Sequence, residues 1–356
     1  MRIKSVLRIL REIKYIKSIL KRHRFLLASG KYILFDNFRS MALNNEQTLA
    51  QASKYFGKSK TKSRRTAIVE KINRTNFFVN HNKGALAEYE AFYIANNYDK
   101  KREIKLFSFK KNKILIICTS SDECEKQILQ YNLFGNAYNM PMVQRNANIS
   151  NSLEISMVDL MEFSDVFRAL RTIVSSTIQF HSLPGNLRKV RARDLTKYSY
   201  GADMDTLLEK LCSSIDDDVL NMEIPLCVQH GDLSKENLIY GESEGKVDFW
   251  WIDWEHAGDR IFFYDLFFYI INSAFYDDTS AYDFYMSGGL DEDLKKFFAH
   301  FGVEFISEKR EDYFRLFALI FLKERVCDFG RVEALKQYCE FIDAHSGDKN
   351  EVRIEK

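Results

Sequence analysis

Proline is nearly absent. Pro141, Pro184 and Pro225 are the only three in 356 residues, and they are expected in connecting segments, which leaves long stretches free to be helical. Cysteine is sparse and scattered: Cys118, Cys124, Cys212, Cys227, Cys327 and Cys339 form no CxxC pair and have no His at metal-ligand spacing. That pattern argues against a disulfide framework or a zinc cluster and implies free thiols in a reducing compartment. No run reaches the roughly 18 apolar residues of a membrane span. The N-terminus is charged throughout and lacks the apolar centre of a signal peptide, so a cytoplasmic protein is expected.

Core material is plentiful: 46% of residues are hydrophobic, with 29 Phe and 18 Tyr. Disorder is not expected beyond the ends, and the length suits one large or two moderate domains. Net charge is only +2 but uneven. Residues 1–27 hold nine Lys and Arg (Arg2, Lys4, Arg8, Arg11, Lys14, Lys17, Lys21, Arg22, Arg24) against one acid, Glu12. Ile3, Val6, Leu7, Leu10, Ile13, Ile16 and Leu20 recur between them at spacings of three and four, which predicts a basic amphipathic helix. Such a helix can make peripheral contact with an anionic membrane on its inner face, each basic residue contributing about 1 kcal/mol. The plainer alternative is a helix docked on the protein body with a solvated basic face. Nucleic acid is not an expected partner, because no reading module stands beside the basic segment.

Residues 28–80 are polar and basic, with an exposed loop expected at 58–65, and they read with residues 1–27 as an extension. Residues 84–97 read as a helix. Segments 104–109 and 114–119 read as a hairpin of strands turning through Lys110-Lys111-Asn112-Lys113. A helix is predicted over 122–133, with Asp122 and Glu123 suited to its first turn, and a strand over 153–161. From Ser164 the pattern becomes helical, beginning with 166–181 and its stop at His181-Ser182-Leu183-Pro184-Gly185. Two short strands, 237–240 and 247–254, flank the turn 241–246, and aromatic-rich helices run from about 260 to 345. The expected class is α+β: an extension at 1–80, a small strand-rich lobe at 81–162, a larger helical lobe at 163–345 with a cleft between the lobes, and a charged tail at 346–356.

Chemistry concentrates at His230-Gly231-Asp232-Leu233-Ser234-Lys235-Glu236-Asn237 and at Trp251-Ile252-Asp253-Trp254-Glu255. An Asp five residues before an Asn, then a second Asp ending a hydrophobic strand, is the minimal equipment for moving a phosphoryl group. Asp232 can take the proton of an acceptor hydroxyl. Asn237 and Asp253 offer the hard oxygens that Mg²⁺ requires, with ATP phosphates completing its shell. Glu255 can add a water-mediated metal contact or simply form a salt bridge. His-Gly-Asp alone is an ordinary turn; the ordered combination carries the signal.

These residues resemble the catalytic loop and metal segment of the aminoglycoside phosphotransferase and choline kinase group of protein-kinase-like enzymes. Gly258 and Tyr264-Asp265-Leu266 continue the resemblance, as does the helix ending in His181-Ser182-Leu183-Pro184, so it covers residues 164–270. It implies a bilobal protein-kinase-like fold and an ATP- and Mg²⁺-dependent transfer of the γ-phosphate to a hydroxyl of a small molecule or glycan. Asp232 is the implied base, His230 a loop-ordering residue and Ser234 a further residue of the catalytic loop. Asp265 is read as a structural tie between the loop and the following helix. A protein kinase is disfavoured, since no activation segment of the usual length separates Asp253 from Tyr264.

The small lobe departs from that pattern. A strand Lys paired to a helix Glu is expected on the α/β-phosphates. Residues 114–119 carry no Lys, with Cys118 or Thr119 near the expected place; Lys113 and Lys105 are the substitutes, and Glu125 or Glu123 the helix acid. Between 84 and 112 only Gly84 is available for a phosphate loop. Adenine is expected against backbone groups at Asp159, Leu160 and Met161. Asp277, Asp278 and Asp283 suggest a cationic acceptor, unless they are merely solvated. If the N-terminal helix meets a membrane, a lipid-linked sugar or lipopolysaccharide precursor becomes a sensible acceptor. The rival to an enzyme is a catalytically weak pseudokinase serving as a nucleotide-sensing or scaffold module, suggested by the missing strand Lys.

Overall fold

The computed structural model describes residues 3–35, 37, 39–57, 77–80, 87–95, 103–182, 187–197, 202–275 and 278–329. The chain forms two compact units. The first comprises Met1–Gly135, Asn139–Glu162 and Tyr240–Trp250; the second comprises Asn136–Tyr138, Phe163–Ile239 and Trp251–Lys356. The class is α+β. No described helix is long and apolar enough to cross a membrane.

The first unit is built on an antiparallel sheet of β1 (Gly30–Leu34), β2 (Ser40–Leu43), β3 (Phe77–Val79), β4 (Ala91–Ile94), β5 (Ile104–Ser108), β6 (Lys113–Ile117), β7 (Val143–Arg145) and β8 (Ser152–Ser156), in the order β3-β1-β2-β4-β5-β6-β8-β7. Its two faces are covered by different helices. Alternation along β6 sends Leu115 and Ile117 into a core with Ile16 and Ile19 of α1 (Ile3–Arg22). Ile114 and Ile116 point the other way. Ile116 meets Cys124 and Tyr131 of α3 (Ser121–Phe134), and Ile114 borders the Ala52 and Leu49 cluster of α2 (Glu46–Phe56). Ser120 caps α3 by accepting the Glu123 N–H at 3.2 Å, as Asn45 caps α2 by accepting that of Thr48 at 2.8 Å.

The expected hairpin is present as β5 and β6, with Asn112 at φ 53° in its turn. The helix expected at 84–97 is not. Ala91–Ile94 is a strand paired on both sides, Phe92 with Met41 of β2 and with Leu106 of β5. The Ala- and Glu-rich composition favoured a helix, but the period-two set Phe92 and Ile94 buries against neighbours distant in sequence. Residues 81–86 and 96–102 lie outside the described residues, as do 58–76 and everything beyond 329. The segment read as an extension is built into this sheet through β1, β2 and β3.

A second small sheet, β13-β12-β9, joins β9 (Asp159–Leu160) to the hairpin of β12 (Leu238–Ser243) and β13 (Lys246–Trp251). Glu244 and Gly245, at φ 54° and 77°, supply the two left-handed residues of its tight turn.

The second unit packs α4 (Val166–Phe180), α5 (Ala202–Ser213), α6 (Tyr264–Phe275), α7 (Ser280–Met286), α8 (Asp291–His300) and α9 (Arg310–Phe329) with a sheet of β10 (Lys189–Arg191), β11 (Glu223–Gln229) and β14 (Gly258–Ile261). Helix α6 is buried on every side from Tyr264 to Ile271, the behaviour of a helix apolar all round. Phe262, Phe263, Phe267, Phe298 and Phe317 interlock around it edge-to-face or stacked, each contributing roughly 2–3 kcal/mol through burial. Pro225 is not in a connection but inside β11, opposite Lys189. It is tolerated because it stands at the end of the ladder with β14, where its carbonyl still accepts the Phe262 N–H at 3.2 Å and its missing N–H interrupts nothing within the strand.

Candidate active site

Strand β11 runs through buried Ile224 and Leu226 and delivers its last residue, Gln229, and His230 to the interior. From there the loop is held by backbone hydrogen bonds. The Asp265 carboxylate, in the first turn of α6, accepts the N–H of His230 at 2.6 Å and of Gly231 at 2.8 Å, while Gln229 Oε1 accepts the N–H of Asp265 at 3.2 Å. Burial pushes the Asp265 pKa up, against the opposing pull of His230, the two N–H donors and Arg260. Gly231 is at φ 82°, and a Cβ there would stand 2.5 Å from His256 O and Arg260 Nη1, so this turn requires glycine.

Four hydrogen bonds close a circuit on the loop. His230 Nε2 meets Ile252 O at 2.8 Å, Ile252 N–H donates to Asn237 O at 3.0 Å, Asn237 Nδ2 donates to Asp232 O at 2.8 Å, and Asp232 N–H donates to His230 Nδ1 at 3.3 Å. A carbonyl at Nε2 and an N–H at Nδ1 place the imidazole proton on Nε2 and commit both nitrogens. Trp254, with its ring 4.7 Å from the imidazole, closes that side. Because Asn237 uses its NH₂ on Asp232 O, its amide oxygen is the end left to face outward. Asp253 follows Ile252 directly in a left-handed conformation, φ 66°, and its side chain does not cap the 3₁₀ turn Trp254–His256 that it opens. Asp232, Asn237 and Asp253 are each half-buried.

Ser234 lies in the same loop, where its Oγ accepts the Glu236 N–H at 3.2 Å and its carbonyl the N–H groups of Asn237 and Leu238. Glu255 is exposed, 3.4 Å from His256. Among the described residues no three His, Cys, Asp or Glu gather as a metal cluster. The residues here that could hold a Mg²⁺ ion are Asn237, through its amide oxygen, and Asp253, through its carboxylate. A short set of hard oxygens suits an ion that completes its shell from phosphates and water.

In the first unit the expected lysine–glutamate pairing is rearranged. Lys113 shares the α1 face with Leu115, where it pairs with Glu154 at 2.9 Å and Glu88 at 3.2 Å beside a cavity of about 460 Å³. Its side chain thus lies on the face opposite α3 and cannot meet an acid of that helix. Lys105, opposite Ile116 on β5, does share the α3 face, and its ammonium is 3.5 Å from Glu103. Gln127 of α3 donates to that same Glu103 at 2.7 Å. Glu125 is exposed and pairs with Arg145 of β7, not with a strand Lys. At the expected lysine position stands Cys118, its thiol pKa pushed up by burial and by neighbouring Cys124.

The segment expected against adenine is paired in the second small sheet. Asp159 and Leu160 pair with Glu242 and Gly241 of β12, the Met161 N–H donates to Tyr240 O at 3.0 Å, and Asp159 pairs with Lys54 at 2.7 Å. The Met161 N–H is thus committed within the protein. The described acids suggested for a cationic acceptor have partners of their own. Asp278 pairs with Lys235 and takes the Ser280 hydroxyl at 2.5 Å, Asp283 takes that of Thr279 at 2.7 Å, and Asp277 lies outside the described residues.

The solved structures to which this chain is similar include choline kinase and aminoglycoside phosphotransferase structures. A choline kinase from Streptococcus pneumoniae shares 14% identity over 79% of this chain and 99% of that one, with a TM-score of 0.43. An aminoglycoside 2′-phosphotransferase solved with GDP shares 12% over 72% and 94%, with a TM-score of 0.44. A choline/ethanolamine kinase family protein from Mesorhizobium loti shares 13% over 70% and 85%, with a TM-score of 0.41. No family model matches the chain, and no curated protein matches it.

Sequence reasoning missed Glu103, Gln127 and Gln229. Glu103 lies two residues from Lys105, so a same-strand carboxylate was available as a signal. Gln127 could be found only from the side of α3 that faces β5.

Proposed function

We propose that the chain is a phosphotransferase that moves the γ-phosphate of ATP to a hydroxyl of a small molecule or glycan. The observation that carries this reading is the closed hydrogen-bond circuit through His230, Asp232, Asn237 and Ile252, which fixes the loop backbone so that the Asp232 carboxylate, the Asn237 amide oxygen and Asp253 all issue from one rigid frame. Asp232 orients the acceptor hydroxyl and takes its proton as the oxygen bonds to phosphorus and the bond to the leaving ADP breaks. Asn237 and Asp253 would hold Mg²⁺, which when bound supplies charge neutralisation on the phosphates. His230, committed at both nitrogens, positions the loop and is not the base; Ser234 and Glu255 act beside it, the former by shaping the turn. Lys105 supplies the cation for the nucleotide phosphates, held by Glu103 and, through it, by Gln127. Lys113 belongs to the other face of the sheet.

The test is Mg²⁺-dependent ATP hydrolysis and transfer to an acceptor panel, in the parent and in Asp232→Asn and Asp253→Asn. Each variant is expected to lose about 10²- to 10⁴-fold in rate. Undiminished turnover in Asp232→Asn would remove it as the base.

A second reading, a catalytically weak nucleotide-binding module, is favoured by one observation: Glu125 pairs with Arg145 rather than with a strand Lys. Under it, ATP binds with Mg²⁺ while the parent hydrolyses no faster than Asp232→Asn.

A further inference from the structure

From Arg11 to Arg22, helix α1 has its apolar side committed inward, with Ile16 and Ile19 fully buried and Leu20 nearly so in the core beneath the sheet. Its other side carries Arg11, Lys14, Lys17, Lys21 and Arg22, all exposed, and Arg24 and exposed Phe25 follow at its end. At 3.6 residues per turn the five helical cations span an arc of roughly 140° centred opposite the buried residues. The only acid in this stretch, Glu12, is half-buried and projects on the buried side. Among the described residues none of the six cations forms an ion pair; Lys17 lies 5.8 Å from the Phe77 ring.

A row of like charges mutually repels and contributes nothing to the fold that neutral residues would not. It is matched by an extended surface of opposite sign. We propose that the basic face of α1 docks on an anionic lipid bilayer at headgroup level, with Phe25 as its apolar contact. A bilayer fits better than nucleic acid because the cations cover one broad face of the helix and are followed by an exposed aromatic ring, a combination suited to the boundary between headgroups and acyl chains. The buried apolar side makes this attachment electrostatic and not the insertion of an amphipathic helix. It stands independently of the reaction proposed above.

The test is co-sedimentation of the full chain with vesicles of phosphatidylcholine alone or with about 30% phosphatidylglycerol added, a fraction that gives the anionic surface such a row requires. Binding is expected only to the anionic vesicles, with release on raising salt from about 0.1 M to about 1 M as the Debye length falls from about 10 Å to about 3 Å. Neutralising three cations together (Lys14→Ser, Lys21→Ser, Arg22→Ser) is expected to weaken binding about 100-fold, roughly fivefold for each. Because all three side chains are exposed, the thermal midpoint should be unchanged, and Lys126→Ser on exposed α3 should bind as the parent does. Three results overturn the proposal: equal binding to neutral vesicles, undiminished binding by the triple variant, or binding to single-stranded RNA with none to vesicles.

Discussion

The loop at residues 230–253 and the lysine strands of the first unit both set charged side chains among apolar packing, but they are wired differently. In the loop, the orienting groups bond to backbone: His230 to Ile252 O, Asn237 to Asp232 O, and Asp265 to two successive N–H groups. In the strands, side chains bond to side chains, Lys113 to Glu88 and Glu154, Lys105 to Glu103, and Gln127 to Glu103. Backbone-anchored groups have few alternative positions and hold one geometry. Side-chain pairs on a sheet can be reassigned by moving a residue from one face to the other. That difference separates a loop held in one geometry from lysines whose pairing depends on the face of the sheet they occupy.

The largest effect is expected at the anchor of the loop. Asp265→Ala leaves the N–H groups of His230 and Gly231 without an acceptor in a buried site and should cost about 3 kcal/mol or more, read as a lowered urea midpoint at unchanged slope. Gly231→Ala comes next: the left-handed φ and the clash with His256 O should cost about 2–3 kcal/mol, and a loss within about 0.5 kcal/mol would show that the turn yields more readily than the circuit implies.

Two lysine variants then compare the faces of the sheet. Lys105→Met is expected to lower kcat/KM for ATP about 10- to 100-fold, whereas Lys113→Met should leave it within about threefold. The reverse ranking would move the phosphate cation to the α1 face. The smallest effect is on stability. Burial alone would raise the pKa of Glu88 and Glu154, but hydrogen bonds from lysines, Lys113 among them, hold both below the ordinary value of 4.5. Their contribution is present above that value and lost as pH falls through the lowered folded pKa. Lys113→Met should therefore cost about 1 kcal/mol at pH 7 and progressively less in acid, checked by urea unfolding at several pH values.

Much of the second unit was legible because its signals are local. Asp165 caps α4 three residues before the N–H it accepts, and Asp232 and Asn237 sit five apart on one loop. Strands β1 to β4 were not legible as one sheet. Phe92 becomes a strand residue only by pairing with Met41 and Leu106, and a polar, basic segment carries no mark of such pairing. Pro225 was misplaced for the same reason, since its tolerance in β11 depends on where β14 ends.

Order and spacing along the chain determined the loop itself, because Asp232, Asn237 and Asp253 are set by backbone geometry within some twenty residues. Only the tertiary structure decided which face of the sheet each lysine occupies and which way the basic helix faced. Lys105 and Lys113 lie eight residues apart on neighbouring strands and look equivalent in sequence. The two-residue period of the sheet places them on opposite faces, one toward α3 and one toward α1. The same packing turned the apolar side of α1 into the core and left its cations to the solvent.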